Sequence, residues 1–386
     1  CARGRRDHRR GTARRYRPGR GRAAMADRVV VVTGPGEVAV REEEAAPLRD
    51  GTFRVKTLYS GISAGTELSY VKGTNPYLSV DWDDTLGLFR PGTPATPYPV
   101  TRLGYMEVCR VVESRTPAVP VGVVGAMTYG HRTGYLGDPL TDRFVPLPDD
   151  LDPLLGVYVA HMGPICANGL LHAAADLHGT DVRTLGDGVR GRRVVVTGAG
   201  VVGLLTALFA RQLGAASVVV VDPTPQRRTV ADALGLQTLD PDADDPAVVL
   251  KTRWAHGPGD RGADVVFQCR GQAAALHLAL RLLRPPGTVV DLAFYQTGAD
   301  EVRLGEEFHH NGLALRCAQI GRVPRGLAQV WDRERLSAGT IDLLRAYGDR
   351  IREHLVSAVV PFEEAPALLT DLADRKRHEL QAVLTG

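Results

Sequence analysis

Several features that define other classes of protein are missing from this sequence of 386 residues. No hydrophobic run approaches the ~20 residues that a membrane-spanning helix needs, and no signal peptide is visible. The phosphate-binding pattern G-x-x-x-x-G-K-[ST] does not occur, which excludes a P-loop nucleotidase. These absences predict a cytoplasmic protein that works without a membrane.

Cysteine is scarce and scattered along the chain. Beyond Cys1 there are four cysteines, namely Cys109, Cys166, Cys269 and Cys317. None of them has the C-x-x-C spacing, which excludes a structural zinc lobe built from four cysteines. Their apolar surroundings predict buried free thiols in a reducing cytoplasm.

Positive charge is concentrated at the N-terminus. Residues 1–24 hold ten of the 47 basic residues and one of the 44 acidic ones, which leaves 37 basic against 43 acidic residues in the rest of the chain. An arginine-rich start can be a nucleic-acid-binding arm or a transit peptide. Because Met25 directly precedes the first folded-looking segment, we expect residues 1–24 to be translated upstream sequence that is disordered. We predict no nucleic-acid partner.

One stretch, residues 192–222, has the order of parts of a βαβ unit. An apolar run over 194–196 predicts a buried parallel strand. The pattern G-x-G-x-x-G follows over 198–203, and leucines at helical spacing after it predict a helix that buries one face. A second apolar run over 218–221 ends at Asp222, within the ~30 residues of one βαβ unit. This agreement of parts predicts a dinucleotide site.

Each glycine of the pattern has a physical role. Gly198 permits the tight turn from strand to helix, Gly200 lets the backbone approach a pyrophosphate, and Gly203 lets the helix lie close to the strand. The free N–H groups and the positive end of the helix would hold the phosphates. Val201 and Val202, which lie between these glycines, belong to the same predicted site.

The choice between NAD and NADP depends on Asp222. A carboxylate at this place accepts hydrogen bonds from the adenosine ribose hydroxyls and repels the 2′-phosphate of NADP, which favours NAD. Arg227 and Arg228 follow closely and could offset that repulsion, so NADP stays open as the alternative. The other interpretation of these arginines is a solvated helix face or salt-bridge partners.

The remainder of the chain has two textures. Residues 28–60 contain short alternating strands between Gly and Pro turns, whereas strands alternate with helices over 166–320 and predict a doubly wound parallel sheet. Residues 74–100 are aperiodic, and a loop of that length in a compact domain is typically functional, so we interpret it as a substrate-side loop. The segments 25–165 and 321–386 would together form the second domain.

Two further motifs complete a recognisable order of parts: GISAGTELSYVKG over 61–73 and LGYM over 103–106. With the glycine pattern, they resemble the medium-chain dehydrogenase/reductase superfamily, the zinc-type alcohol dehydrogenases in the broad sense, over residues 27–386. The first motif is similar to the family's G-I-C-G-T-D-L-H-x-x-x-G and the second to its G-H-E. The resemblance implies an α/β protein with a GroES-like β-rich catalytic domain and a Rossmann domain.

The sequence departs from the family at its zinc ligands. By this resemblance Ala64 occupies the position of the ligand Cys, Tyr105 that of the ligand His, and Gly163 falls near the third ligand. Alanine and glycine offer no ligand atom, and tyrosine is a poor substitute. We therefore expect neither catalytic nor structural zinc.

The resemblance implies hydride transfer at the nicotinamide in the cleft between the domains. Without a metal, a side chain must donate a proton to the developing alkoxide. Tyr105 is the first candidate, and simple filling of the metal cavity is the alternative. Thr66 is a candidate proton relay or a helix N-cap. His131, after a strand expected to face the cleft, and His161, at the start of the linking helix, are further acid–base candidates or structural histidines. Glu67 is expected to orient its neighbours.

Three later segments add expectations of the same kind. GADVVFQCRG over 262–271 and PPGTVVDLAF over 285–294 are similar to late-strand motifs of the family, and the resemblance adds Cys269 and Ala293 to the cofactor-binding residues. The strand over 313–321 is where family dimers commonly join their sheets, so a homodimer is expected.

We therefore predict a zinc-independent NAD(P)-dependent oxidoreductase that interconverts an alcohol and a carbonyl of a small molecule. The polar side chains of 74–100 favour a polyol, cyclitol or sugar-like substrate, or a secondary metabolite. Two alternatives stay open: an enone or quinone reductase, and a nucleotide-binding protein that has lost turnover together with its metal.

Overall fold

The computed structural model of the protein describes residues 26–296 and 298–386. The segment 1–24, which we expected to be disordered, lies outside the described residues. Within the described part of the chain, no helix combines the length and the apolar character needed to cross a membrane.

The first part of the chain is rich in short strands. Its β-branched residues favour the extended backbone, and frequent turns keep each strand short. The elements in order are β1 (Ala26–Gly34), β2 (Glu37–Glu44), β3 (Phe53–Gly61), α1 (Ala64–Val71), β4 (Asp81–Asp83), β5 (Leu88–Arg90), β6 (Glu107–Ser114), β7 (Val124–Met127), β8 (Gly134–Gly137) and β9 (Val145–Pro146).

The predicted aperiodic loop over 74–100 contains a small hairpin instead. β4 and β5 pair antiparallel, and the rings of Trp82 and Phe89 pack with their centroids 4.8 Å apart. Strands of three residues are too short to show an alternating pattern in the sequence, which explains why the hairpin was not predicted.

The second part of the chain alternates strands and helices. It begins with the linking helix, α2 (Met162–His178). The elements that follow are β10 (Arg193–Thr197), α3 (Val201–Gln212), β11 (Ser217–Val221), α4 (Pro225–Ala233), β12 (Gln237–Leu239), α5 (Pro246–Arg253), β13 (Ala255–Gly257), β14 (Asp260–Arg261), β15 (Val265–Gln268), α6 (Ala273–Leu282), β16 (Thr288–Asp291) and β17 (Ala314–Cys317).

Six of these strands form one parallel sheet in the order β12-β11-β10-β15-β16-β17. The valines of β10 and β11 are almost completely buried, as expected for a parallel sheet that helices cover on both faces. The strand β12 and the helix α5 were not predicted, because their sequences are short and carry several polar residues.

The last part of the chain returns to the first. Its elements are α7 (Arg333–Arg350), β18 (Val356–Pro361), α8 (Ala365–Ala373) and β19 (Gln381–Thr385). The strands β18 and β19 join a seven-stranded sheet in the order β18-β19-β3-β6-β7-β9, and β8 also pairs with β3. Helix α7 packs against α2, at the junction of the two domains.

Candidate active site

The phenol of Tyr105 lies at the centre of a group of polar side chains. Tyr105 precedes β6, and Ser63 is the N-cap residue of α1. Their hydroxyl groups are hydrogen-bonded to each other. The hydroxyl oxygen of Thr66 is 3.5 Å from the phenol oxygen, which is a weak contact. The structure therefore brings Tyr105 and Thr66 together, and adds Ser63.

Ser63 directly precedes Ala64, the residue assigned to the position of the family's ligand Cys, and it is Ser63 that contacts Tyr105. The chain has one more residue between Gly61 and Gly65 than the family motif, so alignment by the second glycine selects Ala64. In the structure Ser63, not Ala64, reaches the Tyr105 phenol.

Burial raises the pKa of Tyr105 to about 12. The hydrogen bonds from Ser63 and Thr66 oppose this shift, while the nearby carboxyl groups of Glu67 and Glu107 add to it. With this pKa the phenol is protonated at neutral pH, so it is a proton donor in the ground state.

His161 packs on the phenol ring. The centroids of the Tyr105 and His161 rings are 4.5 Å apart. Burial lowers the pKa of His161 to about 4, and the charges of Arg333 and Arg143 add to the effect, so the imidazole is neutral. Arg333 Nη2 lies 3.0 Å from His161 Nδ1. A guanidinium only donates hydrogen bonds, so Nδ1 accepts and the ring proton is on Nε2.

We expected His131 to face the cleft, but it does not. Its side chain is fully buried, with Nε2 2.8 Å from a Glu67 carboxyl oxygen and Nδ1 2.7 Å from the Ser60 hydroxyl. Burial alone would lower the pKa of His131, but the charge and hydrogen bond of Glu67 and the charge of Glu107 outweigh it and raise that pKa. His131 is thus a buried partner of Glu67 and Ser60.

Glu67 connects this buried pair to the site. Its other carboxyl oxygen accepts a hydrogen bond of 2.8 Å from the backbone N–H of Ser63. A carboxylate in the first turn of a helix is also favoured by the helix dipole. Glu67 therefore holds the backbone of Ser63, whose side chain bonds Tyr105.

Glu107 is a member of this network that sequence reasoning missed. It is fully buried at the start of β6, accepts a hydrogen bond of 3.1 Å from Ser60 Oγ, and its Oε2 has no partner among the described residues. Burial raises its pKa, although the charge of His131 opposes the shift. The sequence signal that could have identified Glu107 is an acidic residue at a strand position that faces inward.

The side chains present do not fit a catalytic zinc ion. Such an ion needs three Cys, His or carboxylate ligands, whereas Ser63, Thr66 and Tyr105 offer hydroxyl groups. A side chain on Gly163 would collide with the methyl group of Thr340 from α7. Among the described residues, one group of three side chains could hold a metal, and it lies elsewhere, at His277, Glu306 and Glu307.

The glycine pattern has the geometry of a dinucleotide site. Gly198 has a φ of +100°, and a side chain on Gly203 would collide with the carbonyl oxygen of Gly198. The space beside Gly200 is open, and Gly200 is the N-cap residue of α3, whose first residues are Val201 and Val202. The free N–H groups of this helix end can therefore receive a pyrophosphate.

Asp222 lies at the end of β11 and is buried. Its carboxyl oxygens accept hydrogen bonds of 2.8 Å from the backbone N–H groups of Ala199 and Thr224. A guanidinium nitrogen of Arg227 lies 4.0 Å from the carboxylate. These contacts fix Asp222 beside the glycine turn, where a ribose would lie.

Cys269 and Ala293 follow the carboxyl ends of β15 and β16, beside the glycine turn. Cys269 donates its backbone N–H to Thr197 at 2.8 Å, and the N–H of Ala293 bonds the carboxylate of Asp291 at 2.9 Å. Both are partly accessible. Ligands of open parallel sheets bind at this edge.

A glutamine connects the nucleotide side to the phenol side. Gln296, in the loop after β16, donates a hydrogen bond of 3.1 Å to the carbonyl of Gly65 in α1 and accepts one of 2.7 Å from the hydroxyl of Thr74. The loop after β16 is therefore in direct contact with α1, whose N-cap residue Ser63 bonds Tyr105.

Comparisons with known proteins agree with this architecture. A family model described as zinc-binding dehydrogenase matches residues 201–333. D-guloside 3-dehydrogenase of Escherichia coli (strain K12) is 26% identical, over 92% of this chain and 98% of that protein. The structure of L-idonate 5-dehydrogenase from E. coli K-12 has a TM-score of 0.70 at 18% identity, over 94% of this chain and 99% of the other. A Sinorhizobium meliloti 1021 protein bound to NADP has a TM-score of 0.70 at 21% identity, over 94% and 100% of the two chains.

The fold, the glycine turn and these relatives define an NAD(P)-dependent oxidoreductase that acts on CH–OH or C=O groups. The chain is similar to zinc-binding dehydrogenases over residues 201–333 and to a dehydrogenase over most of its length. The predicted resemblance to the medium-chain dehydrogenase/reductase superfamily and the predicted fold class, a GroES-like domain with a Rossmann domain, are confirmed.

Proposed function

We propose that this enzyme interconverts an alcohol and a carbonyl of a polyhydroxylated small molecule without zinc, and that Tyr105 exchanges the proton. The observation that carries the proposal is the hydrogen bond between the phenol of Tyr105 and the hydroxyl of Ser63, at the place where family members hold their metal. The filling of the Gly163 position by Thr340 supports it, because no third ligand side chain fits there.

The residues of the cleft account for the proton in both directions. The bound nicotinamide supplies or accepts the hydride. In reduction, the Tyr105 phenol gives its proton to the oxygen of the carbonyl as that oxygen becomes an alkoxide, and Ser63 keeps the phenol oriented. In oxidation, the deprotonated form of Tyr105, which has first released its proton to solvent, accepts the proton of the substrate hydroxyl. Neutral His161 packs on the phenol ring, and its Nδ1 is held by Arg333.

We further propose NAD as the preferred cofactor. The buried Asp222 carboxylate supports this preference, because it would repel a 2′-phosphate. Arg227 is held toward that carboxylate, where it reduces the repulsion without removing it. The relative dissociation constants of NADH and NADPH, measured by fluorescence titration, test the proposal, and tighter NADPH binding would contradict it.

The polyhydroxylated substrate class rests on the polar side chains of the cleft and on the relatives. The E. coli relative is named for dehydrogenation of a D-guloside. In this chain Thr74 and Gln296 bring hydroxyl and amide groups to the domain junction. The 74–100 segment adds the aromatic rings of Tyr77 and Trp82, which both pack on Phe89. Small-molecule sites combine aromatic contact with a few placed polar groups.

Metal analysis combined with turnover tests the zinc-independent reaction. We expect purified enzyme to contain far less than one equivalent of zinc by inductively coupled plasma mass spectrometry. We also expect NAD-linked oxidation of polyols to continue at an unchanged rate after dialysis against a chelator. Stoichiometric zinc, or activity lost to the chelator and restored by zinc, would contradict the proposal.

A homodimer is proposed from the free edge of the parallel sheet. β17 is the last strand of that sheet, and its side chains are exposed, including Leu315 at 43%. An exposed apolar edge strand is suited to pairing with a second copy. Light scattering should give twice the mass of the chain, and a monomeric mass would refute the dimer.

A further inference from the structure

Arg333 places an unpaired positive charge next to the phenol. It is the first residue of α7, and its Nη2 bonds His161, whose ring packs on Tyr105. Among the described residues it has no carboxylate within salt-bridge distance. The guanidinium is therefore one imidazole ring away from the proposed proton donor.

The atoms of this guanidinium have unused hydrogen-bonding capacity. Nη2 donates to His161, but Nε is buried and has no partner among the described residues. Nη1 also makes no hydrogen bond within the described chain. Unlike Nε, it is not buried, so it reaches accessible space. A planar guanidinium with free donors is suited to bind a carboxylate or a phosphate through two of them.

The surroundings of Arg333 add positive charge, and the nearest acidic side chain, Glu334, is paired with another arginine. The neighbouring Arg143 uses Glu334, at 2.7 Å, as its own partner and also bonds the backbone carbonyl of Arg333. Arg333 stands at the positive end of the helix α7, where an arginine is unfavourable. Burial lowers the pKa of Arg333, and the charge of Arg143 adds to this effect, whereas the charge of Glu334 only partly opposes it. Such an arrangement is costly unless an anionic ligand completes it.

We propose that Arg333 binds an anionic group of the substrate, a carboxylate or a phosphate, and so makes the enzyme selective for an anionic polyol over a neutral one. This inference rests on the proposed function, which supplies the reacting alcohol next to Tyr105. The position of Arg333 beyond His161 places the anionic group on a part of the substrate that does not react.

A panel of substrates separates the two sources of negative charge. Neutral polyols, the corresponding aldonates and the corresponding polyol phosphates are oxidised with NAD, and kcat/KM is read from NADH absorbance. We expect one of the two anionic series to exceed the neutral series by about 100-fold, as is typical for a hydrogen-bonded charge pair. The better series identifies the carboxylate or the phosphate.

Variants connect that selectivity to Arg333. Arg333→Gln should lower kcat/KM for the anionic series about 100-fold more than for the neutral series. Arg333→Lys should fall between, since it keeps the charge but loses the planar pair of donors. The matched control is Arg345→Gln on the same helix, whose exposed guanidinium already pairs with Asp150. The control should leave both series unchanged.

A binding measurement tests the anion site independently of the proposed reaction. Malonate and inorganic phosphate are titrated calorimetrically into the enzyme–NADH complex of the parent chain and of Arg333→Gln. Anion binding that Arg333→Gln abolishes supports the anion site even if no polyol is oxidised, in which case the proposed reaction fails alone. Equal kcat/KM for neutral and anionic series, or an equal loss of both in Arg333→Gln, would overturn the anion site.

Discussion

The phenol of Tyr105 meets the hydroxyl of Ser63 because β3 and β6 are paired neighbours. Ser60 at the end of β3 lies opposite Glu107 at the start of β6. Ser63 follows the first strand by two residues and Tyr105 precedes the second by two, so both side chains emerge at the same edge of the sheet. The pairing of β3 with β6 thus brings together two residues that are distant in the sequence and forms the proposed proton-transfer pair.

Replacement of Tyr105 by phenylalanine should remove the proton donor while preserving the ring contact with His161. We expect kcat to fall by about 10²- to 10⁴-fold, the usual range for loss of a general acid, with little change in the binding of NADH. Steady-state kinetics and NADH titration measure both quantities. Tyr347→Phe on α7 is the control, and a similar loss in it, or no loss in Tyr105→Phe, would contradict the assignment.

The rate of alcohol oxidation should increase with pH up to the alkaline limit of the enzyme's stability. Oxidation needs a phenol oxygen that can accept a proton, and with a pKa of about 12 the deprotonated fraction of Tyr105 grows about tenfold per pH unit below that value. Carbonyl reduction needs the protonated phenol and should stay level over pH 7 to 10, a range fixed by this pKa. His161, with a pKa of about 4, does not titrate in that range. A pH profile of kcat/KM checks this, and a slope that persists in Tyr105→Phe would assign it to another group.

Substitution of Gly163 by alanine should destabilise the protein, because the added methyl group would collide with the Thr340 side chain. Overpacking of this kind costs about 1 to 3 kcal/mol. Gly65→Ala is a matched control, since a Cβ there has no neighbour within 4 Å, and it should change the free energy of unfolding by less than about 0.5 kcal/mol. Urea denaturation measures both variants. Equal stability of the two would mean that α2 and α7 leave room for a ligand side chain at residue 163.

Replacement of Glu107 by glutamine should stabilise the protein at neutral and alkaline pH. Burial raises the pKa of Glu107 in the folded state, so ionisation of this group weakens folding as the pH rises above its unfolded value near 4.3. Glutamine retains the hydrogen bond from Ser60 and cannot ionise. We expect a gain on the order of 1 kcal/mol at pH 8 and none at pH 4.

This stability test has two controls, namely the pH dependence due to His131 and a variant at an exposed position. His131 has a raised pKa, so its stabilising contribution is present below about 6.5 and is lost as the pH rises through its folded value. This dependence should persist in weaker form in Glu107→Gln, because Glu67 still raises the pKa of His131. Glu42→Gln on the exposed face of β2 should show no gain at either pH. Destabilisation of Glu107→Gln at pH 8 would show that the ionised carboxylate is required in the fold.

The nucleotide-binding unit could be predicted from the sequence because its parts are contiguous. Strand, glycines, helix and Asp222 lie within residues 192–222, and each is specified by local chemistry: buried valines, positive φ at Gly198, and close packing at Gly203. The contributions of β18 and β19 were not predicted, since their place in the sheet depends on pairing with β3, more than 300 residues away along the chain.

The composition of the candidate site was decided by tertiary structure. The sequence alone determined that residues 64, 105 and 163 are Ala, Tyr and Gly, from which the resemblance predicts that the family's zinc ligands are absent. Packing decided that Ser63 meets Tyr105, that His131 pairs with Glu67 inside the domain, and that Arg333 reaches His161 across 172 residues. These contacts depend on the direction of side chains from separate strands and helices, which no local pattern of residues specifies.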